Sequence, residues 1–77
     1  MEEQERAKKD LDKLIVIIKE FKGQKFGDKY AEVLDWAERY LTDATYYFNK
    51  KDYFTSFGAA NYAYGIIDGI LIFEKKK

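Results

Sequence analysis

The side chains that most often catalyse reactions or bind metals are missing from this sequence, which has no His and no Cys. Without His, the commonest general base and the commonest metal ligand are both absent. Without Cys there can be no thiolate nucleophile, disulfide, zinc finger or iron–sulfur site. The single serine, Ser56, has no histidine to activate it. We therefore expect no catalytic residues, no metal site and no cofactor, and we predict that the protein is not an enzyme.

Carboxylates are the remaining candidates for chemistry, and a general acid–base pair needs two of them facing each other. Asp68 lies in the run 66–70 (IIDGI), the most apolar surroundings of any carboxylate in the sequence, and Asp43 lies among tyrosines. Neither has a second carboxylate on its own helix face. If Asp68 is buried it needs a hydrogen-bond donor. A structural bond from a Tyr or Lys of another helix, contact with a ligand, and simple exposure remain open.

Size and charge narrow the function classes further. The chain has 77 residues, with 14 Lys and Arg against 14 Asp and Glu, so its formal net charge is zero. A nucleic-acid-binding protein usually carries a basic excess, so nucleic acid is an unlikely partner. A chain this short forms one domain, 1–77, with a thin core. Because 47% of its residues are hydrophobic and 18% are aromatic, we expect dense packing, oligomerisation or both.

A membrane location is not expected. The N-terminal residues are acidic and polar, unlike a signal peptide, and the apolar run 14–18 is far too short to span a bilayer. The longer stretch 53–73 contains Asp68, Asn61 and three glycines. Polar side chains near the middle of a membrane-spanning segment are costly in lipid. We predict a cytoplasmic protein.

Three segments have the hydrophobic periodicity of helices. The first covers about residues 3–22, and Gly23 is the expected residue that ends it. Asp28 is the expected N-cap of a second helix over about 29–48, and Asp52 is the expected N-cap of a third over about 53–74. Matched lengths and short loops predict an all-α fold, a single up-down-up three-helix bundle. The predicted inward stripe of the first helix comprises Ala7, Leu11, Leu14, Ile15, Ile18 and Phe21.

The third helix is unusual because no Lys, Arg or Glu occurs between Asp52 and Glu74. Such a helix is central in a bundle or is covered by more than its two neighbours. Gly58, Gly65 and Gly69 fall on one line along it. Each interior glycine costs about 0.8–1.0 kcal/mol relative to Ala, so we expect another backbone to approach this line closely. The approaching element could be the first helix, a second protomer or a ligand.

These features predict two surfaces for a protein partner or for self-association, including a homodimer. The alternative is a bundle that binds a nucleotide or small anion beside a partner enzyme, with the site formed by Asn61, Tyr62 and Asp68. A row of aromatic side chains at helical spacing can also belong to the core or stack on nucleic-acid bases. The candidate interaction face comprises Phe54, Gly58, Asn61, Tyr62, Gly65, Asp68 and Gly69, and the aromatic flank comprises Trp36, Tyr40 and Tyr47.

The run 52–69 (DYFTSFGAANYAYGIIDG) resembles the signature of a small archaeal family of unknown function, domain of unknown function family 357. The resemblance covers about residues 30–73. Mild departures are Ser56 in place of Ala and the pair 66–67 (II) in place of Leu-Leu. The resemblance implies a compact helical bundle and no activity. The matching motif positions, which carry no assigned roles, are Tyr53, Phe57, Gly58, Tyr62, Gly65 and Asp68.

Two looser similarities add little about function. The stretch 44–60 is similar to the helix–turn–helix of tetratricopeptide repeats, with Lys51 at the position of the turn glycine. Because no second copy follows at a 34-residue period, a repeat array is excluded. The chain also resembles helical domains that accompany nucleotidyltransferases, whose ribonuclease members need a histidine that this chain lacks.

Overall fold

A computed structural model of the protein describes residues 2–76 and contains three helices packed together, with no strand in that range. They are α1 (Glu2–Gly23), α2 (Ala31–Asn49) and α3 (Tyr53–Phe73). The predicted all-α fold is therefore confirmed, and each helix end lies within two residues of its expected position.

Contacts between side chains fix the directions of the helices. Arg6 lies over the ring of Phe57, and Lys13 lies over the ring of Tyr64, so α1 and α3 run in the same direction. The three residues between α2 and α3 form a tight turn, which makes these two helices antiparallel. The bundle is therefore up-down-up.

The core is built mainly from aliphatic side chains of α1 and small residues of α2 and α3. The stripe predicted for α1 is buried except at one position. Ile15 is 38% exposed, whereas Ile17 is 2% exposed and packs in the core. The inward face of α1 is therefore rotated slightly toward Ile17 from the predicted stripe. The buried hydrophobic residues are Ala7, Leu11, Leu14, Ile17, Ile18, Phe21, Ala37, Ala44, Ala60, Ala63, Ile67 and Leu71.

The connection between α1 and α2 differs from the sequence prediction. Gly23 is the last residue of α1, and left-handed backbone occurs later, at Lys25 and Gly27. Asp28 is not the N-cap, because α2 begins three residues beyond it and its capping position is Tyr30, without a side-chain hydrogen bond. Three aromatic rings, those of Phe21, Phe26 and Tyr30, pack together and fold this loop, with centroids 5.0–5.7 Å apart. Aromatic packing, rather than a carboxylate cap, fixes the start of α2.

The turn between α2 and α3 follows the prediction more closely. Asp52 is the N-cap of α3, where its Oδ1 accepts a hydrogen bond from the backbone N–H of Thr55 at 3.2 Å. Lys51, at the position of the turn glycine, has a positive φ of 66°. Its N–H donates to Phe48 O, and the N–H of Asp52 donates to Tyr47 O. These two bonds form a Schellman motif that ends α2.

One buried hydrogen bond joins the two helices behind this turn. Ser56 is fully buried, and its Oγ donates to the backbone oxygen of Ala44 at 2.7 Å. This hydrogen bond offsets the cost of removing the hydroxyl from water. The only serine of the chain therefore has a structural position between α2 and α3.

Candidate interaction surface on α3

The third helix has one buried face and one exposed face. Its inward residues are small or aliphatic, and Ala60, Ala63 and Ile67 are completely buried. On the opposite side, Phe54 is 86% exposed and Ile72 is 58% exposed. A helix with almost no charge thus presents large apolar side chains to solvent, which is unusual for a surface helix. We call the predicted interaction face together with Ile72 the outer α3 face.

The glycines on the outer α3 face are open to solvent. Gly58, Gly65 and Gly69 are exposed, and a Cβ atom placed on any of them would have no atom of residues 2–76 within 4 Å beyond its neighbours and its own helical backbone. Of the three alternatives for the approaching element, α1 is therefore excluded, because it packs on the other side of α3. Among residues 2–76, no close contact offsets the helix-propensity cost of these glycines.

Six residues of the outer α3 face follow the spacing of a coiled-coil seam. Starting at Phe54, they recur at alternating intervals of four and three residues, which keeps them on one straight line. Large apolar side chains stand at the two ends of this line, glycines lie between them, and polar side chains occupy two interior positions. Asn61 is exposed, and Asp68 is half-buried. The seam comprises Phe54, Gly58, Asn61, Gly65, Asp68 and Ile72.

Tyr62 connects the outer α3 face to the aromatic flank. Its ring lies 5.8 Å from Trp36 and 5.6 Å from Tyr40, and the latter two rings are 4.6 Å apart. Trp36 and Tyr40 are half-buried, whereas Tyr62 is 56% exposed. Tyr47, the third predicted member of the flank, packs against Tyr46 instead, at 5.3 Å. The structure therefore joins two of the three predicted flank residues to the face through Tyr62.

The most buried carboxylate is one that the sequence reasoning missed. Asp10 is 9% exposed, and its Oδ2 has no hydrogen-bond partner within the described part of the chain. It lies on α1 between Arg6 and Lys13, the two residues that stack on α3 rings. The charged residues around it in the sequence suggested an exposed position. Only its place on the helix, directly before the buried Leu11, indicates burial.

A polar cluster also ties the start of α2 to the end of α3. The Nζ of Lys29 donates to Glu74 Oε2 at 2.8 Å, and the hydroxyl of Tyr30 donates to the same oxygen. The hydrogen bond from Lys29, followed by that from Tyr30, lowers the pKa of the Glu74 carboxyl. The hydrogen bond to Glu74 is also the main reason that the pKa values of Lys29 and Tyr30 are raised. This cluster holds the segment before α2 and the segment after α3 together.

An open groove follows the outward side of α1. It is bounded largely by exposed side chains of that helix, with Phe48 and Tyr64 at its margins. The Lys8–Asp12 ion pair, 2.8 Å long, lies within it. The groove contains none of Asn61, Tyr62 and Asp68, the residues suggested for a nucleotide or anion. Across residues 2–76 there is also no group of three carboxylates close enough to hold a metal ion.

An up-down-up arrangement of three helices, one of them with a single charged residue, defines this molecule as a small all-α helical protein. Its sequence matches the model of the family described as protein of unknown function (DUF357) over residues 4–74. The chain belongs to that family, as the run 52–69 suggested. No curated protein and no solved structure is significantly similar to it. None of the helices within residues 2–76 has the length and apolar character required to cross a membrane.

Proposed function

We propose that this protein is a non-enzymatic interaction module that associates with itself through the outer α3 face. The observation that carries the proposal is the exposure of Phe54, at 86%, on a helix without Lys, Arg or Glu. Large exposed apolar side chains on a helix side that lacks Lys, Arg and Glu favour an interaction site. The cytoplasmic location expected from the sequence belongs to the same proposal.

The energetics favour burial of this surface. Complete burial of one large apolar side chain contributes about 1.5–3 kcal/mol. In a symmetric dimer the same side chain is buried on both copies. Phe54, Tyr62 and Ile72 are each more than half exposed in the single chain. Because the chain has zero net charge, long-range repulsion between copies is weak. Self-association therefore gains apolar burial at little electrostatic cost.

The test is the mass of the protein in solution across a dilution series, measured by sedimentation or light scattering. We expect a dimer that dissociates on dilution. In the Phe54→Lys variant a charge replaces the most exposed apolar side chain of the contact, so we expect a monomer with unchanged helix content. The matched control is Val16→Lys, because Val16 is 55% exposed on α1, outside the outer α3 face. A strict monomer at high concentration, or a dimer that Phe54→Lys leaves intact, would overturn the proposal.

The alternative, binding of a nucleotide or small anion, has less support. A phosphate site usually contains Lys, Arg or a cluster of backbone N–H groups, and α3 has no Lys or Arg among residues 53–73. A thermal-shift experiment with nucleotides tests it directly. A rise in melting temperature that Asn61→Ala abolishes would support this alternative over self-association.

A further inference from the structure

We infer that the second copy docks antiparallel to the first along the outer α3 face, with the two-fold axis near residue 63. The inference rests on the proposed self-association and specifies its geometry. Four observations support it: the order of side chains along the seam, the position of its one carboxylate, the open space at its glycines, and the dimensions of the face.

When two copies of the seam run in opposite directions, the side chains that face each other are complementary. With the axis at residue 63, Phe54 of one copy lies opposite Ile72 of the partner subunit. The two large apolar ends of the seam therefore meet each other, and each pair forms twice in a two-fold dimer. Toward the centre, Asn61 lies opposite the partner's Gly65, so the larger side chain faces a position with no side chain. A polar residue at one such position favours a single register.

The carboxylate on the seam argues against the parallel arrangement. In a parallel two-fold pair each residue faces its own copy, so Asp68 would face the partner's Asp68, and two like charges would repel inside an apolar contact. In the antiparallel pair Asp68 faces the partner's Gly58. The helix dipoles also oppose each other in the antiparallel pair, which is favourable, whereas they align in the parallel one. Charge therefore selects the direction.

The glycines leave the space that close packing of two helices needs. Gly58 and Gly65 are exposed, and a Cβ on either would meet no other group of the described chain. A partner helix can therefore approach with its backbone near these positions, closer than the usual interaxial distance of about 8–10 Å. The same approach offsets the propensity cost that is otherwise unexplained in the single chain.

The dimensions of the face indicate a modest interface. With 21 residues, α3 is about 31 Å long. The bundle measures 39 × 20 × 15 Å between Cα extents. A contact along α3 that is one helix diameter wide, about 10–12 Å, therefore covers about 300–400 Å² on each copy, which is typical of small, weak interfaces. We expect a dissociation constant in the micromolar range, about 10⁻⁶ M.

The experiment uses the full chain, whose lack of cysteine allows spin labels at chosen sites. Lys50→Cys and Lys76→Cys are exposed positions outside the outer α3 face, near the N-terminal and C-terminal ends of α3. Each variant is labelled singly, and inter-subunit distances are measured by electron paramagnetic resonance for each variant alone and for an equimolar mixture. The mass of each labelled sample is measured at the same concentration, which tests self-association separately from orientation.

The antiparallel dimer predicts long distances, of about 39 Å at 1.5 Å per residue, for each variant alone. It predicts a short distance only in the mixture, where position 50 of one copy meets position 76 of the other. Short distances for each variant alone, with no short distance in the mixture beyond those of its same-variant dimers, would show a parallel dimer and overturn the inference while leaving self-association intact. A dimer with no short distance in any sample would also overturn it. A monomer would overturn both this inference and the proposed function.

Discussion

At the scale of single residues, Glu74 shows how one carboxylate can join distant parts of the chain. It accepts hydrogen bonds from Lys29 and Tyr30, more than 40 positions earlier in the sequence. Its side chain is only 18% exposed, compared with 59% for Lys29. Because both partners lie just before α2, these hydrogen bonds connect the start of α2 to the end of α3. They lie at the end of the bundle that contains the loop 24–30. We therefore expect the protonation state of Glu74 to affect the stability of the fold.

We predict that Glu74→Gln lowers the melting temperature at neutral pH and that the difference from the parent protein disappears in acid. The pKa of Glu74 is lower in the folded protein than its usual value of 4.5. Its stabilisation is therefore fully present above about pH 4.5 and is lost as the pH falls through the folded-state pKa. Melting curves by circular dichroism between neutral and acidic pH measure this difference.

Asp12→Asn is the matched control for this measurement. Asp12 pairs with Lys8 on the exposed side of α1, where both side chains are more than half exposed, and such pairs contribute little. We expect a much smaller difference that changes little with pH. A difference for Glu74→Gln that persists unchanged in acid would show that the charge of Glu74 does not stabilise the fold.

Lys51 has a side chain that its backbone conformation disfavours. It occupies the left-handed position of the turn that ends α2, with φ at 66°. A residue with a Cβ atom pays about 1–2 kcal/mol for this conformation, whereas glycine does not. We predict that Lys51→Gly raises the free energy of unfolding by about 1 kcal/mol, measured by denaturant titration. Lys50→Gly, at a neighbouring residue with φ of −82°, is the control and should destabilise or leave stability unchanged.

At the scale of elements, α3 is the helix whose sequence and exposure disagree most. Its buried residues are small or aliphatic, as a core helix requires, but its outward side also lacks the charges of a typical surface helix. In contrast, α1 and α2 carry every charged residue of the three helices except Asp68, and all of theirs but Asp10 are exposed. The propensity penalty of three glycines and the exposure of Phe54 share one explanation if another copy covers this side.

We predict that Gly65→Ala has opposite effects on folding and on association. In the single chain a methyl group at this position meets open space, so the higher helix propensity of Ala should raise the free energy of unfolding by about 0.8–1.0 kcal/mol. In the dimer the methyl group intrudes on the approaching helix, which should weaken association about tenfold. Unfolding is measured at low protein concentration or in the Phe54→Lys background, and association by sedimentation.

Gly23→Ala is a control that raises helix propensity outside the outer α3 face. Gly23 is also exposed and has open space around it, but it lies at the end of α1, away from the outer α3 face. We expect Gly23→Ala to leave association unchanged. If Gly65→Ala also leaves association unchanged, the glycine line does not contact the second copy.

At the scale of the whole molecule, stability and association are expected to be coupled. The single chain has a thin core formed largely by alanines and by the aliphatic residues of α1, and a domain of this size is only marginally stable. Any partner that binds the folded state alone stabilises it by mass action. Self-association would therefore supply stability that this small core does not provide.

We predict that the melting temperature rises with protein concentration. A hundredfold concentration excess over the dissociation constant corresponds to about 2.7 kcal/mol of added stability, or a rise of about 10 °C or more for a domain of this length. The Phe54→Lys variant should melt at the same temperature at every concentration, whereas Val16→Lys should behave like the parent. A melting temperature independent of concentration in the parent protein would contradict the coupling.

Much of the fold follows from local sequence signals. The three helices, the short hairpin turn and the Asp52 cap were all predictable, because periodicity and capping depend on residues within one or two turns of each other. The start of α2 was not predictable in this way. Its position depends on Phe21, Phe26 and Tyr30 packing together across a loop, and that packing competes successfully with the carboxylate cap suggested at Asp28.

The candidate site was predictable in its residues and less so in its surroundings. The sequence identified an uncharged helix with a glycine line, but it could not decide whether α1 covers that line. Nor could it pair Tyr62 with Trp36 and Tyr40, because these residues lie on different helices. The burial of Asp10 was missed because buried and exposed positions on α1 can be neighbours in the sequence.

The sequence by itself determined that His and Cys are absent and that there are three helices, because residue types and their spacing are local properties. It also determined that α3 has hardly any charge on either side. Only the tertiary structure decided which side of α3 lies inside, since that depends on the shapes of α1 and α2 and on how the three helices pack. With Ala60, Ala63 and Ile67 buried, Phe54 and the glycines are left outside, on the surface where we expect the second copy.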